Sequence, residues 1–232
     1  MKFLSIIPAR GGSKGIPRKN LAKINGRPLI EYSIKAALDV SQITDVVVST
    51  DDKEIADVSR ELGAQVPFIR PLELATDKAQ SAPVVRHAVE FMEKLKGYTY
   101  DAVLMLQPTS PLRKSLHIKK ALDIYQSSDI DSLVSVVSVS QHPYRMKKLV
   151  GNKLINYIDQ GFENMIPRQE LPEVYIRNGA IYLCSRSVII HKKVLVGENC
   201  YGLVMDDFES INIDSKLDLV LAETILREGK VG

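Results

Sequence analysis

Residues 3–20 read Phe3-Leu4-Ser5-Ile6-Ile7-Pro8-Ala9-Arg10-Gly11-Gly12-Ser13-Lys14-Gly15-Ile16-Pro17-Arg18-Lys19-Asn20. An apolar run of strand length gives way to a loop with three glycines and four cations, Arg10, Lys14, Arg18 and Lys19. Glycine lets backbone amides approach an anion closely and reach positive φ. A buried strand that empties into such a loop is how open α/β sheets hold a polyphosphate, beyond the carboxyl ends of their strands. The spacing is not that of a Walker A loop, because Lys14 follows Ser13 and precedes Gly15, nor is it Gly-x-Gly-x-x-Gly. A dinucleotide is therefore disfavoured. The alternative is a solvated basic turn, as most charge runs are.

Outward from this loop, strand and helix signals alternate. Asn25-Gly26 marks a tight turn, and Pro28 suits the first turn of a helix whose face is Ile30, Ile34, Ala37 and Leu38. Strands are predicted at 45–50, 66–69, 102–106, 133–139, 180–184 and 200–205. Asp51 or Asp52 caps a helix through Ile55, Val58 and Leu62 that Gly63 closes. Ser81 caps another, lined by Val85, Ala88, Val89, Met92 and Leu95 and stopped by Gly97. Further helical faces are Leu116, Ala121, Leu122 and Ile124, and Leu217, Val220, Leu221, Thr224 and Ile225. This alternation predicts an α/β fold, a doubly wound, mainly parallel sheet in a single domain spanning 1–232. Residues 141–172 break the pattern, with His142-Pro143 and a hairpin signal at Gly151-Asn152. They read as an insertion, either a protruding arm or a surface loop.

Composition excludes several classes. Of 232 residues, 45% are hydrophobic and 25% charged, which favours a folded globule over disorder. A net charge of +3 is too small for the basic stripe of a nucleic-acid binder. No apolar run approaches the ~18 residues of a membrane span, and no signal peptide precedes the first strand. Cys184 and Cys200 sit in apolar runs without zinc spacing and read as buried thiols in a reducing compartment, the cytoplasm.

Three more stretches could carry chemistry. Gln107-Pro108-Thr109-Ser110-Pro111-Leu112-Arg113 follows a predicted strand end, and Gln107, Thr109 and Ser110 offer uncharged donors and acceptors suited to a base or sugar. An ordinary polar turn is the alternative. In Ser210-Ile211-Asn212-Ile213-Asp214 an extended backbone puts Asn212 and Asp214 on one face, where they could share Mg²⁺ with phosphate oxygens. Asp214 could equally cap the following helix. Arg168 and Arg177 lie near the insertion and match a carboxylate bidentately, or are surface arginines. His142 precedes a proline and reads as a turn residue rather than a base.

Together these residues resemble the acylneuraminate cytidylyltransferase family, which makes CMP-sialic acid and its bacterial analogues. The resemblance runs from Ile7-Pro8-Ala9-Arg10 through Val48-Ser49-Thr50-Asp51, Arg70-Pro71, Leu74-Ala75-Thr76-Asp77, Leu106 to Arg113, Pro167-Arg168-Gln169 and Asn178-Gly179-Ala180-Ile181-Tyr182 to Ser210 to Asp214. It implies a Rossmann-like nucleotidyltransferase. CTP and a nine-carbon 2-keto sugar acid would give the CMP-sugar and pyrophosphate with Mg²⁺. It also implies site roles. Arg10, Gly11, Ser13, Lys14, Lys19, Asn20 and Ser81 would bind the nucleotide, with Arg10, Lys14 and Lys19 catalytic. Gln107, Thr109, Ser110, Arg168 and Arg177 would bind the sugar acid, and Asp214 with Asn212 the metal. The insertion would be a dimerisation arm that brings Arg168 to the partner's site in a homodimer. Transfer to an eight-carbon 3-deoxy-octulosonic acid, or a CTP-binding regulatory module without catalysis, are the alternatives. Two positions depart from the family pattern: Asn212 stands where many relatives have aspartate, and Ile176 where many have arginine, with Arg177 one step later.

Overall fold

The apolar run that opens the chain is buried on both faces. Phe3 and Ile7 join one core cluster, Leu4 and Ile6 another, and all four are fully buried. A strand covered on both sides lies inside a sheet with helices above and below. The computed structural model describes residues 1–13, 15–158 and 167–229. In chain order the elements are β1 (Phe3–Pro8), β2 (Lys23–Ile24), β3 (Arg27–Pro28), α1 (Leu29–Leu38), β4 (Ile43–Ser49), α2 (Lys53–Glu61), α3 (Ser81–Lys96), β5 (Ala102–Met105), α4 (Ser115–Ser127), β6 (Ser132–Ser138), β7 (Lys147–Val150), β8 (Lys153–Asn156), β9 (Tyr175–Ser185), β10 (Cys200–Val204) and α5 (Lys216–Arg227). The main sheet runs β10-β6-β9-β5-β1-β4, parallel except for β9, which is antiparallel to both neighbours. α1, α2 and α4 pack on one face, and α3 with the turn at Val188–Lys192 on the other. The doubly wound, mainly parallel reading holds.

A third cluster positions the candidate site. Ile16, from the loop after β1, meets Ile24, Leu29, Ile213 and Ala222. The N-terminal loop and the segment before α5 are thus anchored in one apolar patch. The Asn25-Gly26 turn closes the β2–β3 hairpin with both residues at positive φ, 48° and 79°.

Several local expectations are corrected. Residues 66–69 form no strand; a single bridge joins Gln65 to Val47, and the chain then turns so that Arg70 donates its amide to Thr50. Ser81 is the first helical residue of α3, not its cap; Gln80 is the N-cap, and its side chain makes no capping bond. Asp52 rather than Asp51 caps α2, accepting from the Ile55 amide at 3.0 Å. On α5 the buried residues are Ala222 and Ile225, with Leu219 and Leu226 half-covered, while Leu217, Val220 and Leu221 are exposed. Leu38, Leu95 and Leu116 are exposed too, and Cys200 is only half-buried, whereas burial pushes the Cys184 thiol up to about 12.

Residues 141–172 contain the expected hairpin, β7 and β8 joined at Gly151-Asn152. Leu149, Val150, Leu154, Ile155 and Tyr157 along and just after it are exposed. His142 is a turn residue, as expected, and caps the 3-10 turn Pro143–Arg145. Its Nδ1 accepts from the Tyr144 amide at 3.2 Å, so Nε2 carries the proton it donates to the Pro172 carbonyl at 3.1 Å. Residues 159–166 of this stretch lie outside the described residues, as does Lys14. No described helix is long and apolar enough to cross a membrane.

Candidate active site

The loop after β1 curls over a cavity of about 420 Å³ at the carboxyl end of the strand. Arg10, Gly12, Ser13, Gly15, Lys19 and Asn20 line it from one side. The loop's shape has identifiable causes. The Gly11 amide donates to Asp51 Oδ1 at 3.0 Å, and a Cβ on Gly11 would lie 2.7 Å from Asp52 Oδ2. A Cβ on Gly15 would lie 2.6 Å from the Asp214 carbonyl oxygen. Asn20, nearly buried, donates its amide to the Arg10 carbonyl at 2.9 Å. Arg18, at φ 50°, turns away from the cavity and pairs with Asp52 at 3.0 Å and Glu54 at 2.8 Å. It leaves the group of cations that the sequence placed together. Arg10 pairs with Asp77 at 2.7 Å across the cavity mouth.

The facing wall comes from distant parts of the chain. Lys19 donates to the Ile213 carbonyl at 2.8 Å and pairs with Asp214 Oδ1 at 3.1 Å. The Ile213 amide donates to the Thr109 carbonyl at 2.8 Å, which ties this segment to the loop after β5. Asn212 donates its amide to Asp214 Oδ2 at 2.7 Å, and its Oδ1 is buried without a partner. Asp214 faces the cavity and does not cap α5. Ser215 does, in a reciprocal box with Asp218. Ser81 and Val84 bring the N-terminus of α3 to the same cavity, where unpaired helix amides favour an acceptor.

A second cavity, about 320 Å³, adjoins the first at Gln107, which lines both. Its other walls are Val137, Ile176, Arg177, Asn178, Gly179, Tyr182, Ser210 and Asn212. β9 makes room for it. Val134 pairs with Tyr182 but Val136 with Arg177, so β9 loops out extra residues around Gly179, at φ 80°. A Cβ at Gly179 would lie 2.6 Å from Gln107 Oε1. The bulge resets the alternation of side chains, and Ile176 and Arg177 both reach the cavity. Asn178 holds the bulge: its Oδ1 accepts from Ser135 Oγ at 2.6 Å and the Ala180 amide at 3.2 Å, and its Nδ2 donates to Ser210 Oγ at 2.9 Å.

The sequence-derived residues thus divide. Arg10, Ser13, Lys19, Asn20, Ser81, Thr109 and Asp214 meet at the first cavity, Arg177 and Asn212 at the second, and Gln107 at both. Gly11 stands behind the loop, and Ser110 is buried and lines neither cavity. Arg168 starts a 3-10 turn at Arg168–Glu170; only its backbone is described.

A family profile described as cytidylyltransferase matches residues 4–195. The chain belongs to the cytidylyltransferase family. Relatives over almost the full length support that membership. A Legionella pneumophila protein called CMP-N,N'-diacetyllegionaminic acid synthase is 38% identical over 97% of both chains. A Campylobacter jejuni protein called pseudaminic acid cytidylyltransferase is 32% identical over 98% of this chain and 97% of its own. An Escherichia coli N-acylneuraminate cytidylyltransferase is 35% identical over 97% of this chain, which spans about half of that longer protein, 52%. A solved CMP:2-keto-3-deoxy-manno-octonic acid synthetase has the same fold, with a TM-score of 0.71 over 99% of this chain and 100% of its own at 18% identity.

Two buried arginines of this cytidylyltransferase were not singled out from sequence. Arg70 lines the first cavity and donates to Ser49 Oγ at 3.0 Å and to the Ser49 carbonyl. Burial lowers its pKa to about 10. Arg113 is 2% exposed and donates to the carbonyls of Gln107 at 3.1 Å and Ala180 at 2.8 Å and to Ser33 Oγ. Burial lowers its pKa to about 9, and no carboxylate among the described residues offsets it. It holds both sides of the second cavity from behind. The available signal was each arginine's place in a proline-bounded motif, Arg70-Pro71 and Pro111-Leu112-Arg113.

Proposed function

We propose that this enzyme transfers CMP from CTP to the anomeric hydroxyl of a sialic acid or bacterial analogue such as legionaminic acid, releasing pyrophosphate. One observation carries the reading. The Lys19–Asp214 pair joins the cationic glycine loop to Asn212 where the two cavities meet at Gln107. The names of the near-full-length relatives support the same chemistry. CTP occupies the first cavity, its phosphates over Arg10, Ser13, Lys14 and Lys19, and its cytidine toward Asn20 and Ser81. The acid occupies the second, held by Gln107, with Thr109 at the border and Ser110 supporting the loop from within. Arg177, and Arg168 from a partner subunit, receive its carboxylate. The anomeric hydroxyl oxygen attacks the α-phosphorus in line and gives up its proton to solvent, and the bond from the α-phosphorus to the bridging oxygen breaks, releasing pyrophosphate. Positioning and charge neutralisation supply most of the acceleration in such transfers.

Asp214 and Asn212 fit a Mg²⁺ site of one carboxylate and one amide oxygen, completed by phosphate oxygens. The orphaned, buried Oδ1 of Asn212 supports this, since turning the amide over would place that oxygen beside Asp214. Mg²⁺ bound there supplies charge neutralisation on the phosphates. The exposed apolar side chains around β7 and β8 favour a homodimer built through the arm. The free thiols suit the cytoplasm.

The test is pyrophosphate release from CTP and Mg²⁺ with a panel of nine-carbon acids and the eight-carbon 3-deoxy-octulosonic acid. Turnover is expected with at least one nine-carbon acid. Silence across the panel while CTP still binds would favour a regulatory module and refute the proposal. Lys19→Ala should lower kcat by about 10²–10³ with an unchanged melting temperature. Asp214→Ala should raise the Mg²⁺ requirement or stop turnover. Sedimentation should give twice the chain mass, and a monomer would refute the dimer.

A further inference from the structure

We propose that Ile176 and Val137 select the substrate tail, favouring an acid that ends in a methyl group and carries acylamino groups over one with a trihydroxylated tail. This inference rests on the reading above, in which the sugar acid occupies the second cavity. Val137 and Ile176 are register partners across β6 and β9, and both line that cavity. Cross-strand partners on one face sit side by side, so the two form a continuous apolar patch. Tyr182 lines the same cavity. Ile176 is 58% exposed. A large apolar side chain there contributes little to the core and is open to contact with a ligand in the cavity it lines.

Two of the polar groups beside the patch, Asn178 and Ser210, are already occupied. Asn178 spends Oδ1 on Ser135 and the Ala180 amide, and Nδ2 on Ser210 and Met205 Sδ. Ser210 Oγ accepts from Asn178 and donates to the Asp206 carbonyl at 2.7 Å. A hydroxyl-rich tail laid directly on Ile176 and Val137 would lose its water there and gain nothing from Asn178 or Ser210, which is costly. A methyl or acyl group loses nothing there and gains buried apolar area. Gln107, which lines both cavities, lies at the border with the nucleotide cavity and serves the reacting end of the acid, while the orphaned Asn212 Oδ1 belongs to the metal site described above. Arg177 provides positive charge in this cavity and suits the carboxylate that all these acids share.

The experiment compares kcat/KM for two acids, N-acetylneuraminate and N,N'-diacetyllegionaminate, in the wild type and in Ile176→Gln, Ile176→Ala and Arg177→Gln, with CTP saturating. Wild type is expected to prefer the deoxygenated, diacylated acid by at least about tenfold, the scale set by a methyl or hydroxyl in an apolar pocket. Ile176→Gln should reduce that preference about tenfold by lowering one substrate and raising the other, while KM for CTP stays within twofold. Ile176→Ala should lower turnover of the diacylated acid without raising that of N-acetylneuraminate. Arg177→Gln should lower both acids alike. A wild type that prefers N-acetylneuraminate, or Ile176 variants that keep the wild-type ratio, would overturn the inference and leave CMP transfer standing. Turnover of neither acid by wild type would overturn the underlying reading and this inference with it.

Discussion

Three glycines in one loop should respond to alanine in three different ways. At Gly15 the added Cβ would meet the Asp214 carbonyl oxygen at 2.6 Å. Restoring ordinary contact, about 3.4 Å, requires a relative shift of about 0.8 Å. The opposing atom is backbone, so the strain cannot relax into a flexible side chain. The shift falls on the segment whose Ile213 carbonyl and Asp214 carboxylate hold Lys19. A misplacement on the order of 1 Å at reacting groups costs about 10²-fold in rate. Gly15→Ala should therefore lower kcat/KM for CTP by roughly 30- to 100-fold while the core clusters stay intact. At Gly11 the Cβ would meet the Asp52 side chain, which caps α2. Losing that cap costs about 1 kcal/mol, or a fall of roughly 2–4 °C in Tm for a chain of this size. At Gly12 no atom lies within 4 Å, so alanine should leave Tm unchanged or slightly higher. Pyrophosphate release and thermal melts on the three variants and wild type decide the matter. Wild-type turnover in Gly15→Ala, or an equal loss in Gly11→Ala, would refute the argument that Gly15 is needed for its contact with the Asp214 backbone.

Arg113→Met should act on the second cavity. It removes the donor from the Gln107 and Ala180 carbonyls, each worth roughly 1–3 kcal/mol if left unsatisfied, partly offset because a buried cation disappears. KM for the sugar acid should rise about tenfold with KM for CTP within twofold, since ~1.4 kcal/mol corresponds to tenfold; equal changes in both would contradict a positioning role. Asp45→Asn tests a pH-dependent term. Burial pushes the Asp45 carboxyl up, but bonds from Lys96, Gln65, Tyr100 and Tyr98 outweigh it, and its pKa lies below the ordinary value. As pH falls the unfolded chain takes up the proton first, so this stabilisation is present above about pH 4 and lost as pH drops through the folded pKa. Urea melts should show Asp45→Asn weaker by roughly 1.5–3 kcal/mol at pH 7, with the gap closing as pH falls below the ordinary carboxylate range. A gap that stays constant would show that the carboxylate charge is not the source.

The alternation of strands and helices was legible because β1 and β4 are short apolar runs while α1 and α3 carry a clear helical period. Strand direction was not: an apolar run such as Ala180 to Cys184 reads the same whether it runs parallel or antiparallel to its neighbours. The α5 face was misread because the helix carries two apolar stripes, and sequence spacing alone does not say which meets Ile16 and Ile213. The strand expected at 66–69 failed because Val66 packs into one core cluster and Phe68 against the other without completing a ladder. At the site, Lys19, Asp214 and Gln107 were visible as residue types in motifs. Arg113 was less so, since burying a cation among carbonyls contradicts every composition rule and shows only in three dimensions. The displaced phase at Ile176 and Arg177 became intelligible through the β9 bulge, which no periodicity encodes.

The link between Lys19 and Asp214 spans 195 residues of chain, and that between Lys19 and the Ile213 carbonyl 194. Contacts of such separation carry the largest loop-closure cost and form late. The parallel strands β1, β4 and β5 can pair during synthesis well before Ile213 has left the ribosome. The glycine loop is then in place, but its counterpart is not. A growing or truncated chain that stops short of residue 213 can hold a sheet and half a cavity, yet it lacks the carboxylate that completes the site. Competence therefore arrives as one of the last events of folding, when Ile213 docks against Ile16 and Leu29.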